Sequence, residues 1–270
     1  MGENYSVLKD ISYGEHERHS FDLYIPQNAE NKSGVILFIH GGGWSNGDKS
    51  DYKNEAEFYA SSGYICVTMN YRFVSENVNV FHELEDITSV LNSIKIKCKE
   101  YGFDVKNAIL IGASAGAHLS LLYAYTRKSE APITLVAVCA YCPPVNCWAE
   151  DFLMGIKGEF EDWKYGVLSN CCGVKITKDT LLNESQQKAL KKMSPQIYVS
   201  KECVPTAVFQ GVLDELVPFE YAEIFIDTLT KAGVKNDFLV YENSGHALDK
   251  DPEKTEEAKN MILSYAKMYF

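Results

Sequence analysis

Short apolar runs rich in β-branched residues alternate along this chain with longer stretches of helical periodicity, and this alternation restricts the fold more than any other feature. Several runs are almost entirely hydrophobic, which is typical of parallel strands buried on both faces. The strand-like runs are 21–25, 35–39, 64–69, 108–111, 135–141, 206–209 and 238–241. The helix-like stretches are 51–61, 84–101, 114–125, 220–232 and 252–268. The pattern predicts an α/β protein with a mostly parallel sheet and helices on both faces.

One long stretch departs from this alternation. Between Pro143 and Val199 no clear strand is evident, and the segment contains Trp148 and Trp163. In a fold with short connections, an insertion of this length is usually a lid or a binding element. We therefore predict a single domain, 1–270, with a lid-like insertion at about 143–199. Its aromatic side chains would either line a cleft that stacks on a sugar ring or only fill the core of the lid.

The turn from Gly112 to Gly116, with the sequence GASAG, follows a buried strand and precedes a helical pattern. A G-x-S-x-G turn in this setting exposes the hydroxyl of a nucleophile, here Ser114. The motif alone is weak, and the alternative is a serine of a tight turn in some other α/β fold. The strand before it and the helix after it favour the nucleophile.

A second glycine-rich loop, His40–Trp44 with the sequence HGGGW, follows the apolar run 35–39. Its backbone is unshielded, so the N–H groups of Gly42 and Gly43 can point at a ligand oxygen, and that of Ala115 can join them. A glycine loop in this position could instead hold a phosphate, but neither a dinucleotide fingerprint nor a P-loop signature follows. We therefore predict an oxyanion-binding loop.

A serine nucleophile needs a base, and the base needs a group that orients it. His246 lies in a turn-rich loop after the last strand, and Asp214 lies in the loop after the strand 206–209. Three rivals remain. We expect His118 to pack beside the nucleophile turn, Glu215 to be a solvated loop charge, and Asp249 to lie too close to His246 in sequence to orient it.

These residues resemble the α/β-hydrolase superfamily, and within it the esterase/lipase branch with an HGGGW oxyanion loop and a GxSAG turn. The likeness extends over nearly the whole chain, including Asn70-Tyr71-Arg72, Leu84-Glu85-Asp86, Ser194-Pro195 and Gly245-His246. It implies an α/β-hydrolase fold with an eight-stranded sheet and a structural pairing of Arg72 with Asp86. The members most similar in pattern are small esterases of the acetyl-xylan or feruloyl type and sugar hydrolases.

The resemblance also implies the chemistry. Ser114, Asp214 and His246 would form the catalytic triad, and Gly42, Gly43 and Ala115 would bind the oxyanion. Two positions depart from the common pattern, namely Ala117 after the nucleophile turn and Gln210 at the start of the acid loop. We expect neither to touch a catalytic group, so they affect the expected substrate rather than the reaction.

The function expected on this basis is a serine carboxylesterase acting on a small-molecule, short-chain ester, with acetylated sugars as candidate substrates. A kynurenine-formamidase-like amidase is the alternative within hydrolysis. A non-catalytic ligand-binding protein on the same fold is the alternative outside it, but such proteins typically lose the nucleophile or the base. No cofactor is expected. A homodimer is compatible with the sequence, which does not fix the oligomeric state.

The formal net charge of −11 argues against nucleic acid and anionic membranes as partners. Residues 1–20 lack the apolar segment of a secretory signal, which predicts a cytoplasmic protein with reduced cysteines. Cys139 and Cys142 form a CxxC that begins inside a predicted strand. Since residues three apart on a strand face opposite sides, we expect buried thiols and no metal site.

Overall fold

Eight strands form a single sheet in this computed structural model, which describes residues 4–28, 33–148, 161–180 and 183–270. The strands are β1 (Tyr5–Ser12), β2 (Ser20–Pro26), β3 (Gly34–Ile39), β4 (Ile65–Met69), β5 (Asn107–Ala113), β6 (Thr134–Tyr141), β7 (Thr206–Gly211) and β8 (Asn236–Tyr241). Their order is β1-β2-β4-β3-β5-β6-β7-β8. The pairs β1–β2 and β2–β4 are antiparallel, and the other five are parallel. The predicted mostly parallel eight-stranded sheet is confirmed.

Seven helices accompany the sheet within the described ranges. They are α1 (Lys53–Ser61), α2 (Val80–Glu100), α3 (Ala115–Thr126), α4 (Glu161–Cys172), α5 (Glu184–Lys192), α6 (Phe219–Lys231) and α7 (Pro252–Tyr269). No helix among the described residues is long and apolar enough to cross a membrane.

The two faces of the sheet carry separate hydrophobic cores, and alternate residues of β3 point into one or the other. Val35, Leu37 and Ile39 belong to the core covered by α2, α3 and α6. Ile36 and Phe38 belong to the core covered by α1 and α7. The predicted helices on both faces are therefore present, and the strand ends that follow β3 and β5 lie between two helical layers.

β1 is the one strand that the apolar runs did not reveal. It lies at the edge of the sheet, most of its residues are half-buried or exposed, and its pairing with β2 shifts register between Leu8 and Ile11. An exposed edge strand with an irregular register does not need a continuous apolar run. For this reason its sequence, YSVLKDIS, carries a weak strand signal.

The insertion predicted at 143–199 is described in part, since 149–160 and 181–182 lie outside the described residues. Within its described part there are two helices, α4 and α5, and no strand, as the sequence indicated. Leu168 and Cys171 of α4 are fully buried and belong to the same core as the inner faces of α2 and α3. This helix therefore packs onto the domain beside the carboxyl ends of the strands.

Helix α2 buries a carboxyl group, that of Glu83, whose two side-chain oxygens have no hydrogen-bond partner among the described residues. Burial raises its pKa well above the ordinary value of 4.5, the negative charge of Asp86 adds to the rise, and Arg72 opposes it. The folded protein therefore keeps a proton that the unfolded chain releases. The contribution of Glu83 to the free energy of unfolding is therefore greatest below pH 4.5 and falls as the pH rises above that value.

Glu83→Gln removes this loss because an amide does not ionise. We expect a higher melting temperature than the wild type at pH 7, by about 2–4 °C for each kcal/mol gained. The two proteins should converge near pH 4, which thermal unfolding from pH 4 to 8 would show. Glu100→Gln, at the exposed end of the same helix, is the matched control. A wild type whose stability does not fall with rising pH relative to Glu83→Gln would contradict the assignment.

Candidate active site

The predicted nucleophile turn joins β5 to α3, and Ser114 occupies it with φ 51° and ψ −118°. Its backbone N–H donates to the carbonyl of Tyr141 at 2.8 Å, which holds the turn against β6. The turn closes because Gly116 has no side chain: a Cβ there would lie 2.0 Å from the carbonyl oxygen of Ile39. A non-glycine residue in the left-handed region is uncommon and costs energy, so the backbone at Ser114 is strained in the way a nucleophile turn requires.

The glycine-rich loop after β3 lies directly beside this turn. A Cβ built on Gly41 would be 3.5 Å from that of Ser114. Gly42 has φ 105°, and a Cβ there would lie 2.2 Å from the carbonyl oxygen of Asn46, so only glycine fits. Among the described residues, the N–H groups of Gly42, Gly43 and Ala115 have no other acceptor. The three predicted donors are therefore free for a ligand oxygen.

Two side chains that the sequence did not single out hold this loop in place. Arg18, in the connection from β1 to β2, donates to the carbonyls of Tyr71 (2.8 Å) and Gly47 (3.0 Å). The guanidinium also lies 3.6 Å from the centre of the Phe73 ring. The Tyr71 hydroxyl donates to the carbonyl of His40 at 2.9 Å. Tyr71 lies in the Asn70-Tyr71-Arg72 segment that carried the resemblance, whereas no local pattern marks Arg18.

The pairing expected between Arg72 and Asp86 is present. Arg72 donates to the Asp86 carboxylate from Nη2 at 2.7 Å and from Nε at 2.9 Å. His19 Nε2 lies 3.1 Å from the same carboxylate. Since Asp86 is buried at the start of α2, these contacts fasten the strand end after β4 to that helix.

Asp214 and His246 are in direct contact. His246 Nδ1 lies 2.9 Å from Asp214 Oδ2, and the carboxylate is fully buried. Its other oxygen accepts the backbone N–H groups of Leu216 (2.9 Å) and Val217 (2.8 Å). Burial alone would raise the pKa of Asp214, but the hydrogen bond and charge of His246 and these two N–H groups lower it below its ordinary value. The site therefore holds a carboxylate that can orient an imidazole.

Gln210 corrects one expectation. Its side chain is fully buried, and Nε2 donates both to Asp214 Oδ2 at 2.8 Å and to the carbonyl of Val217 at 3.1 Å. The sequence analysis placed this residue out of contact with the catalytic groups, which is wrong. Gln210 is the penultimate residue of β7, four residues before Asp214, and the tight turn after the strand brings the two side chains together. Ala117, the other departure, is buried in the helical core.

The rival residues are engaged elsewhere. Both ring nitrogens of the buried His118 are used: the Trp44 indole donates to Nδ1 at 3.1 Å, so Nε2 carries the proton and donates to the carbonyl of Met193 at 2.7 Å. Burial lowers the pKa of His118 to about 4. It is a neutral structural imidazole. Glu215 is exposed, and Asp249 is paired with Lys250 at 3.1 Å.

One group of potential metal ligands occurs among the described residues. Cys142, Asp214 and His246 present ligand atoms within 4.8 Å of one another. The Asp214 oxygens already accept hydrogen bonds from His246, Gln210 and two backbone N–H groups, and burial raises the pKa of the Cys142 thiol. These atoms fit a His–Asp pair better than a zinc site, in which Cys142 would have to bind as a thiolate and Asp214 through a free lone pair. All eight cysteines are free thiols.

Two cavities meet at Ser114. The larger, of about 860 Å³, is lined by Ser114, His246, Gly42 and Gly43 and extends between α1 and α7. The smaller, of about 110 Å³, lies between Ser114, Trp44 and helix α4. Trp163 and Leu216 line both. The structure thus brings Ser114, His246 and the glycine loop to one opening.

A parallel sheet with a serine turn, an apposed glycine loop and a His–Asp pair beyond the carboxyl ends of its strands is the α/β-hydrolase fold. The solved structure of esterase B from Lactobacillus rhamnosis has the same fold, with a TM-score of 0.76 at 20% identity, covering 98% of this chain and 88% of that one. The chain belongs to the BD-FAE family, whose model matches residues 21–229.

Two further similarities place the chain among its relatives. A probable isoprenylcysteine alpha-carbonyl methylesterase from Oryza sativa is 27% identical over 247 residues, which cover 89% of this chain and 58% of that protein. The chain thus spans a little over half the length of this relative. A truncated carbohydrate esterase from gut microbiota has a TM-score of 0.73 at 18% identity, covering 99% of both chains.

Proposed function

We propose that the protein is a serine carboxylesterase that hydrolyses short-chain esters, with acetyl esters of carbohydrates as its substrates. The observation that carries the proposal is the His246–Asp214 pair at 2.9 Å, opening into the cavity that Ser114 and the glycine loop also line. The similarity to proteins named as esterases supports it. The eight free cysteines fit a reducing compartment, and we propose the cytoplasm.

The proposed reaction proceeds in two halves. Ser114 Oγ attacks the ester carbonyl while His246 takes its proton, and the carbonyl oxygen becomes an oxyanion held by the N–H groups of Gly42, Gly43 and Ala115. The C–O bond to the alcohol breaks as His246 returns the proton to it. Water then attacks the acyl-serine with His246 again as base, which releases the acid and restores Ser114. Asp214 orients His246 and stabilises its cation.

The carbohydrate part of the proposal rests on the larger cavity. Both aromatic rings and polar groups line its wall, as in sites that stack a sugar ring and bind its hydroxyls. The match to a carbohydrate esterase structure is consistent with this assignment. A cavity of about 860 Å³ also exceeds what an acetyl group needs, so most of the volume is left for the alcohol.

Three substrates test the proposal: p-nitrophenyl acetate, acetylated xylo-oligosaccharides and N-formylkynurenine. We expect turnover of the aryl ester, release of acetate from the oligosaccharides, and little or no hydrolysis of the formamide. Faster hydrolysis of N-formylkynurenine would instead establish the amidase. Failure to hydrolyse any of the three, with the protein folded by circular dichroism, would favour the non-catalytic binding protein.

A further inference from the structure

We infer that Ser114 separates a short acyl pocket, closed by helix α4 of the insertion, from a leaving-group cavity formed by α1 and α7. The inference rests on the proposed esterase function and assigns each half of the ester to one of the two cavities. The alcohol would then be recognised on the face of the sheet that α1 and α7 cover, whereas α4 packs against the core on the other face.

The position of His246 fixes which half of the ester enters which cavity. The same imidazole that deprotonates Ser114 must deliver a proton to the leaving oxygen, so that oxygen has to lie within hydrogen-bond reach of it. His246 lines the larger cavity and is not among the residues around the smaller one. With the carbonyl oxygen turned toward Gly42 and Gly43, the alcohol therefore enters the larger cavity, and the acyl chain enters the smaller.

Most of the lining of the smaller cavity is apolar and suits a short acyl chain, and Lys164 of α4 adds one amine to it. Its wall includes the apolar side chains of Trp44, Pro144, Val167, Leu168 and Val217. Its volume is about 110 Å³. An apolar protein cavity of about 150 Å³ holds benzene, with six carbons, so this one accommodates acyl chains of up to about four carbons. Val167 and Leu168 belong to α4, so the insertion sets the limit on acyl length.

The larger cavity has the lining expected for a ring-bearing polyol. Four tyrosines from three separate parts of the chain contribute to its wall: Tyr52, Tyr59, Tyr141 and Tyr241. Thr255 and Lys259 of α7 add polar groups. The Tyr52 hydroxyl is buried and has no hydrogen-bond partner among the described residues. A buried hydroxyl without a partner is costly, and a substrate hydroxyl that reaches it would satisfy it.

The sequence analysis left open whether the aromatic side chains of the insertion stack on a sugar ring or only fill the core of the lid. Of its two tryptophans, Trp163 lines both cavities, while Trp148 lines neither of the two described at Ser114. The four tyrosines of the leaving-group cavity come from outside the insertion: from the short 3₁₀ helix before α1, from α1 itself, and from the ends of β6 and β8.

The test is a series of p-nitrophenyl esters from acetyl to octanoyl, measured as kcat/KM. The wild type should peak at four carbons or fewer and fall at least about tenfold by octanoyl, since one excess methylene in a tight pocket costs a factor of about 10 or more. Val167→Ala should raise the octanoyl-to-acetyl ratio about tenfold, and Val167→Phe should confine activity to acetyl. The two variants change the volume of the smaller cavity in opposite directions. A folding defect would lower activity in both and would not shift the preferred acyl length in opposite directions.

Tyr52→Phe tests the other cavity. It should raise KM for acetylated xylo-oligosaccharides about three- to tenfold, the worth of one hydrogen bond, while the ratio between acyl lengths stays as in the wild type. Ester turnover with a flat profile to octanoyl, or Val167 variants that change the preferred alcohol but not the acyl length, would overturn the inference and leave the esterase standing. Absence of all ester turnover would overturn both.

Discussion

Replacing Ser114 with alanine should lower the turnover of p-nitrophenyl acetate at least about a thousandfold, because the nucleophile of a triad accounts for most of its catalysis. Any remaining rate would come from the oxyanion donors and from binding alone. The Cβ of alanine occupies the same space, so the strained turn and the melting temperature should be preserved. An activated organophosphonate should transfer its phosphonyl group to the wild type, with loss of its leaving group, and should not label Ser114→Ala.

The matched control is Ser120→Ala. Ser120 lies on the same helix, and its hydroxyl donates to the carbonyl of Gly116 at 2.7 Å without facing the cavity. This variant should hydrolyse the ester at close to the wild-type rate. Undiminished activity or phosphonate labelling in Ser114→Ala would remove Ser114 as the nucleophile.

Asp214→Asn is expected to have the second largest effect, a loss of about 10³ to 10⁴ in kcat. Oδ1 accepts two backbone N–H groups, from Leu216 and Val217, and this fixes the position of the asparagine oxygen. The new NH₂ group must then take the place of Oδ2, facing His246 Nδ1. A hydrogen-bond donor there makes Nδ1 an acceptor and places the imidazole proton on Nε2. Nε2 can then no longer accept the proton of Ser114.

Gln210 would be affected by the same change, because its NH₂ group now donates to the oxygen that asparagine replaces. Its own Oε1 has no partner among the described residues, so the amide can turn to accept from the new NH₂ group. Turning forfeits the bond from Nε2 to the carbonyl of Val217. We therefore expect a modest loss of thermal stability beside the large loss of rate.

Asp249→Asn is the matched control, since Asp249 is three residues from His246 but is exposed and paired with Lys250. It should leave kcat nearly unchanged. A large loss of kcat in Asp249→Asn together with an active Asp214→Asn would show that Asp214 is not the carboxylate that orients His246. Both should be measured at one pH within the plateau of the wild-type profile.

The parts of the site carried by local motifs were predictable from the sequence. Ser114, Asp214 and His246 each follow a strand, and strands of a parallel sheet bring their carboxyl ends to one edge. The position of the glycine loop was also predictable, because a run of three glycines directly after a buried strand marks a turn with exposed backbone. The positions of β2 to β8 followed from short apolar runs, as expected for strands buried on both faces.

What the sequence did not reveal depends on contacts between distant segments. Arg18 holds a loop more than twenty residues away by donating to its backbone carbonyls. Because every residue has a backbone carbonyl, the sequence does not show which ones accept. The hydrogen bond from Gln210 to Asp214 requires the turn after β7 to fold back onto the strand end. The tyrosine-lined cavity needs α1 and α7, which are far apart in the chain, to cover the same face of the sheet.

The buried imidazole of His118 has a consequence for engineering. It joins Trp44 of the glycine loop to the carbonyl of Met193, which lies near the end of the insertion, through two hydrogen bonds. A graft that exchanges the insertion for that of a related protein therefore acts on the oxyanion donors as well as on the acyl pocket. We expect grafts that end before Met193 to keep this connection, and grafts that extend past it to keep it only where the new backbone carbonyl lies in the same place.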